Sequence, residues 1–260
     1  MFDDYSKILI AALAKGGDYA DLFIEETRPV AISLEDGKVE KVISGREIGA
    51  GIRVIIGFRS VYAYTNDISE RALLDLAASV ARAVNGDGRD LIIDLRQKKP
   101  VFDFSVAEPP EGVDIARKLA LVRSMDGAAR AADTRVSQVM VMYRDTVQDI
   151  TVASSDGFLT KDQRHYTVAA ANVIAKDENS VQTGYESAGG NAGLEIFRTT
   201  PPELIGEKAA KRATQALTAR KAPGGSMPVV LSSEAGGTMV HEAVGHGLEA
   251  DLAQNGLSVY

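Results

Sequence analysis

The dipeptide Asp36-Gly37 lies between "VAISLE" and "KVEKVISG", two short runs of mixed apolar and polar residues. An Asp-Gly pair flanked in this way is the two-residue connection of a β-hairpin, which commits this part of the chain to antiparallel strands. The neighbouring segments agree. "YADLFIEET", "EIGAGIRVII" and "SVYAYTN" are short, rich in β-branched and aromatic residues, and divided by turn residues, with Gly57-Phe58-Arg59 as a second tight turn. The period then changes. "ISERALLDLAASVARAV" spaces its apolar residues as a helix does, and Asn85-Gly86-Asp87-Gly88 ends it. Ahead of the strands, residues 3–15 read as a helix stopped by Gly16-Gly17. Strands with separate helices make an α+β unit of residues 1–97.

The pattern returns after a linker at 98–111, part of "RQKKPVFDFSVAEPPEG", which combines a basic cluster with Pro100, Pro109 and Pro110. "VDIARKLALVRSMDGAARAA" is a helix. "RVSQVMVMYRDT", "QDITVASS", "RHYTVAAANVIAK" and "SVQTGYESAG" are strands, with Asp156-Gly157 as a turn. "PPELIGEKAAKRATQALTA" is a helix that begins with proline, where the missing N–H matters least. These form a second α+β unit, 112–222. Residues 223–260 open a third, β-rich domain. "MPVVL" is expected as a buried strand, Gly247 as a cap on the helix that follows, and "LSVY" as the start of another β-like run. Because this domain opens without closing, the chain is expected to be a fragment. Gly49-Ala50-Gly51 lacks the third glycine of a dinucleotide turn and reads as a twisted strand, while "GYESAGGNAGLE" reads as a surface loop.

Composition removes several function classes. The 260 residues are 45% apolar and 25% charged, which supports an ordinary core, and the net charge of -7 argues against a nucleic-acid-binding surface. The apolar run in "KILIAALAKG" is short and follows Asp3 and Asp4 rather than a basic stretch, so an amphipathic helix is expected in place of a signal peptide. No run reaches the ~20 apolar residues of a membrane span. There is no cysteine, hence no disulfide, thiol nucleophile or thiolate ligand within the chain. This usage fits a reducing cytoplasm.

The chemistry concentrates near the end, in His241-Glu242-Ala243-Val244-Gly245-His246. Two neutral imidazoles can hold a zinc ion, and an adjacent carboxylate can take a proton from an attacking water. The spacing is one residue longer than in H-E-x-x-H. At ~100° per residue, positions i and i+5 stand about 140° apart around an ideal helix. A π-bulge would bring them together, and Gly245 makes local distortion cheap. Alternatively, the helix ends early and His246 turns back, or both histidines only cap and pack. Spacing alone leaves these readings open. A third ligand would come from Glu249, Asp251 or His165; the two carboxylates also suit partners of the ligands, and His165 suits a half-exposed strand position.

"GGSMPVVLSSEAGGTMVHEAVGHGLEADLAQNGLSVY" resembles the start of the catalytic domain of the TldD/PmbA family, in the TldD branch. It shares H-E-x-x-x-H, Gly247-Leu248-Glu249 and Asp251, and the layout of the remaining chain fits more loosely. The resemblance implies a cytoplasmic zinc metallopeptidase with His241 and His246 as metal ligands and Glu242 as the catalytic base. It also implies a PmbA-like (TldE) partner subunit or a homo-oligomer, and extended or unfolded peptides as substrates, including leader peptides of modified peptides and antitoxins. The family's third ligand, a downstream cysteine, is not among these residues. The 260-residue chain alone is therefore expected to bind zinc weakly and to be inactive. The rival readings are a non-catalytic PmbA-like peptide-binding subunit and a gyrase-associated regulator.

Overall fold

The computed structural model describes residues 4–84, 86–88, 91–99 and 106–260. The chain divides into two compact units, one up to Ala219 and one from Arg220 to Tyr260.

The first unit is built on β1, Tyr19–Glu35. Its even positions, which share one face of a strand, carry Leu22 and Ile24 at one end and Ile32 and Leu34 at the other. Between them on that face stand Glu26 and Arg28. The sequence suggests two strands here, and Pro29 explains why one forms. β2 (Lys38–Ser44) pairs with residues 30–35 of β1, and β3 (Glu47–Ile56) pairs with residues 19–27 on the same edge. Pro29 falls in the gap. Its carbonyl accepts from Gly45 N–H there, so its missing N–H faces the same gap and costs no ladder bond. Asp36 (φ 49°) and Gly37 (φ 75°) make the expected hairpin turn. Gly57 and Phe58 join β3 to β4 (Arg59–Thr65).

Two further long strands, β6 (Val136–Ser154) and β7 (Phe158–Lys176), are each a single 19-residue element. Ser155, Asp156 and Gly157 connect them, with Gly157 at φ 80°. The short β5 (Arg96–Gln97) runs parallel to the start of β7, while β8 (Val181–Gly190) pairs antiparallel with its later half. The result is one eight-stranded sheet, β4-β3-β1-β6-β7-β5, with β2 on β1 and β8 on β7. The fold is α+β. The two blocks expected at 1–97 and 112–222 thus share a sheet, joined by β1 against β6. Of the expected linker 98–111, residues 100–105 lie outside the described residues.

Two apolar cores form on this sheet. Helices α1 (Tyr5–Ala12) and α2 (Glu70–Val84) cover the first, around Leu9, Leu22, Ile52 and Leu73. Helix α3 (Ile115–Ala132) and helix α5 (Pro202–Leu217), which follows the single turn α4 (Ile196–Thr199), cover the second, around Ile32, Met125, Tyr143 and Ile205. Each block lends residues to the other's core: Ala153 joins the first, and Ile32 and Leu34 the second. Each fully buried side chain of this size contributes about 1.5–3 kcal/mol of transfer free energy. The glycines expected in a surface loop are mostly in β8. A Cβ on Gly184 would strike the Ala209 carbonyl, so glycine there permits close approach of β8 to α5.

The second unit contains α6 (Ser233–Val240), a π-helical turn (His241–Gly245), a 3₁₀ turn (His246–Leu248) and α7 (Ala250–Gln254). "MPVVL" and "LSVY" are not strands, and Val230 is fully exposed. A strand needs an edge to pair with, and among the described residues this unit contains none.

Candidate metal centre

Past Val240 the helix widens. His246 N–H donates to the His241 carbonyl, an i to i+5 bond that takes one extra residue into the turn. This brings the two imidazoles to one side, with ring centroids 4.5 Å apart and planes at 75°. Ligand atoms from His241, Glu242 and His246 all lie within 4.8 Å of one another. Gly245 is not what makes the turn possible. Its φ of -56° and ψ of -54° are ordinary helical values, and an added Cβ would stand 3.5 Å from His241 Nδ1, in normal contact.

The widened turn is held from the chain's far end. Gly256, at φ 66°, follows α7 and reverses the backbone. Tyr260 Oη then donates to the Ala243 carbonyl at 2.6 Å, and Ser258 Oγ donates to the carbonyl of Gly247. The Tyr260 ring occupies the space a Cβ on Gly247 would need. Gly247 therefore serves this close approach within the 3₁₀ turn, and the residue that leaves helical geometry is Glu249, with ψ 137°. Sequence reasoning missed Ser258 and Tyr260, taking their run for a strand. Asn255-Gly256 was the available signal of a chain reversal.

Glu249 Oε1 stands 2.6 Å from His246 Nδ1. An acceptor there favours the tautomer protonated on Nδ1, leaving Nε2 free for a metal. The Glu249 hydrogen bond and charge, with Glu242 adding to them, raise the pKa of His246 above the usual histidine value. Glu242 Oε2 lies 3.5 Å from His246 Nε2, on the side a metal would occupy. All three side chains are exposed. Asp251 is in the first turn of α7, outside the His241–Glu242–His246 group. His165 belongs to the first unit, where it is buried on β7 rather than half-exposed, with Nε2 3.2 Å from Glu111 Oε1. Among the described residues, the donor set is two imidazole nitrogens and one carboxylate. These donor types suit a hydrolytic metal site, in which a carboxylate can act as ligand or as base.

The donor set and the α+β unit are compatible with a metallopeptidase, and sequence comparison names the family. Residues 20–85 match the model of the PmbA/TldA metallopeptidase domain 1, and residues 108–217 match that of the PmbA/TldA metallopeptidase central domain. The chain belongs to the PmbA/TldD metallopeptidase family. It is 28% identical over 250 residues to the metalloprotease TldD homolog of Haemophilus influenzae, covering 94% of this chain and 52% of that protein. The chain spans about half the length of the curated relatives it matches. Among solved structures, a protein of Bacteroides thetaiotaomicron described as a candidate modulator of DNA gyrase superposes with a TM-score of 0.67 at 17% identity, over 85% of this chain and 52% of that one. TldE of Thermococcus kodakarensis superposes with a TM-score of 0.55 at 13% identity, over 77% and 44%.

Proposed function

We propose that these residues carry the histidine half of a TldD-type zinc peptidase centre. The observation behind this reading is the π-helical turn, which converts an i, i+5 histidine pair from divergent to convergent. His241 and His246 would hold the ion, with Glu249 orienting His246 through its contact at Nδ1. Zinc there would supply Lewis-acid activation of the attacking water and of the scissile carbonyl. Glu242 takes a proton from the attacking water and delivers it to the leaving amine. Its exposed carboxylate beside His246 Nε2 is free to face that water. The third ligand, on the family resemblance a cysteine, comes from a part of the catalytic domain outside these 260 residues. The 260-residue chain alone then holds zinc weakly and does not cleave peptides.

The substrates in this reading are extended or unfolded peptides. A TldE-like subunit or a second copy completes the protease in the cytoplasm. The test uses the longer protein with its partner. Glu242→Gln should lose peptide cleavage, on the order of 10²-fold or more for a general base, while zinc content stays unchanged. Unchanged cleavage would remove Glu242 from the mechanism, and lost zinc would make it a ligand.

A further inference from the structure

A strand at the edge of a sheet carries a row of unpaired N–H and C=O groups, which invites another strand. Among the described residues, β2, β4, β5 and β8 each pair on one side only. Three of them are guarded. β5 is two residues long. β2 carries Lys38 and Lys41, and its pairing with β1 is bulged at Ser33 and Leu34. Helix α5 crosses β8 closely at Gly184, and its Arg212 donates to the Tyr185 carbonyl at 2.9 Å. β4 has none of these devices. Its residues, Arg59–Thr65, pair with β3 in unbroken register and include no proline and no lysine.

The ladder shows which groups β4 leaves open. Gly57-Phe58 is a two-residue connection, so Ile56 and Arg59 exchange both bonds, while Ile55 and Ser60 exchange none. The Ile55 carbonyl accordingly accepts from Asp18 N–H, on the β1 side of β3. By the same alternation, the N–H and C=O of Ser60, Tyr62 and Tyr64 point away from β3. Val61 and Ala63 pack on the first core, which puts Tyr62 and Tyr64 on the opposite face. These two rings are 62% and 78% exposed, with centroids 6.3 Å apart. Arg59 is exposed and has no ion-pair partner among the described residues. Asp67, just past the strand, is also exposed and spends one carboxylate oxygen on Ser69 N–H.

We propose that β4 pairs antiparallel with β4 of a second copy of this chain, about a two-fold axis at Ala63. Such a pairing sets one surface against itself, so every contact occurs twice. In this register Tyr62 faces Tyr64 of the second copy, and the two exchange ladder bonds through their outward groups. Arg59 comes opposite Asp67 of the second copy at both ends. Moving the axis to Tyr62 or Tyr64 sets Arg59 against Thr65 or Ser69 and loses both ion pairs. Charge complementarity along the strand therefore selects a second copy in this register. The interface lies wholly in the unit up to Ala219, so the proposal stands or falls apart from the metal centre and the peptidase reading.

The test follows the mass of the 260-residue chain by sedimentation equilibrium from about 5 to 500 µM, a range that covers weak association. The chain should become a dimer within it, and hydrogen exchange at the Tyr62 and Tyr64 amides should slow as it does. Tyr64→Pro removes an outward N–H and no bond to β3. Arg59→Glu places like charges together at both ends. Each should weaken the dimer about tenfold or more, with the melting temperature at about 5 µM retained. Arg59→Glu combined with Asp67→Lys should restore the dimer to within about threefold of the parent. A chain that is monomeric at about 500 µM, a dimer unaffected by Tyr64→Pro, or a charge swap that restores nothing would overturn the proposal. A monomer whose Tyr62 and Tyr64 amides are protected only by an added extended peptide would also overturn it, and would assign this edge to peptide.

Discussion

Leu22 and His246 sit in opposite surroundings. Leu22 is fully buried on β1, inside a core that residues from both halves of the first unit complete. His246 has half of its side chain in solvent, on a turn held by two hydroxyls from the chain's last residues. Among the described residues, those from Arg220 onward include none that is buried. Packing energy and site chemistry therefore reside in different parts of the chain. Cores resist change because lost contacts and cavities are costly. A metal centre gains its order from ligands and their partners, and those can be contributed from elsewhere in a longer protein.

Four substitutions test this contrast, taken from the largest effect down. Leu22→Ala should cost about 2–5 kcal/mol in urea unfolding, by transfer and cavity terms. Weakened zinc binding in the same variant would show that the two parts are coupled. Gly206→Ala should cost about 1–3 kcal/mol, because the new methyl would meet the Met125 carbonyl where α5 crosses α3. A variant as stable as the parent would mean that the two helices separate freely. Glu249→Gln should leave unfolding within about ±0.5 kcal/mol and weaken zinc binding about 10-fold or more, read by competition with a chromophoric chelator. Unchanged affinity would show that His246 needs no orienting partner.

The smallest effect is a pH dependence. Hydrogen bonds from Arg46 and Arg28 hold the Glu26 carboxyl down to about 2, from an ordinary 4.5. A folded pKa below the unfolded one gives stabilisation that is complete above the unfolded value and lost as pH falls through the folded one. The stability difference between the parent and Glu26→Gln should therefore be constant above pH 4.5 and shrink toward pH 2. A difference that does not vary across this window would show that the arginine bonds do not act on folding.

Much of the first unit was legible because local periods are strong. The strand segments, the turns at Asp36-Gly37 and Asp156-Gly157, and helices α2, α3 and α5 all follow from spacing and turn residues. The two segments read separately form one strand because the Pro29 nitrogen faces the gap between β2 and β3, and that gap is set by how those strands pair. "MPVVL" misled because apolar composition alone does not supply a partner strand. At the candidate metal centre, the residue types and the departure from a regular helix were readable from six residues, while the choice between a widened turn and an early helix end was not. The role of Tyr260 was not, since it depends on a chain reversal that places a ring on Gly247.

By itself the sequence determined the secondary-structure periods, the absence of thiolate ligands within these residues, and a histidine pair that a regular helix would hold apart. Those are local properties, encoded within a turn or two of each residue. Only the tertiary structure decided that two strand blocks become one sheet, that their cores exchange residues, and that the Lys118 ammonium is buried against Asp145. Strand pairing and burial join residues as far apart as Lys118 and Asp145, or Glu26 and Arg46. No local period carries that information, because it arises from which edges and faces meet.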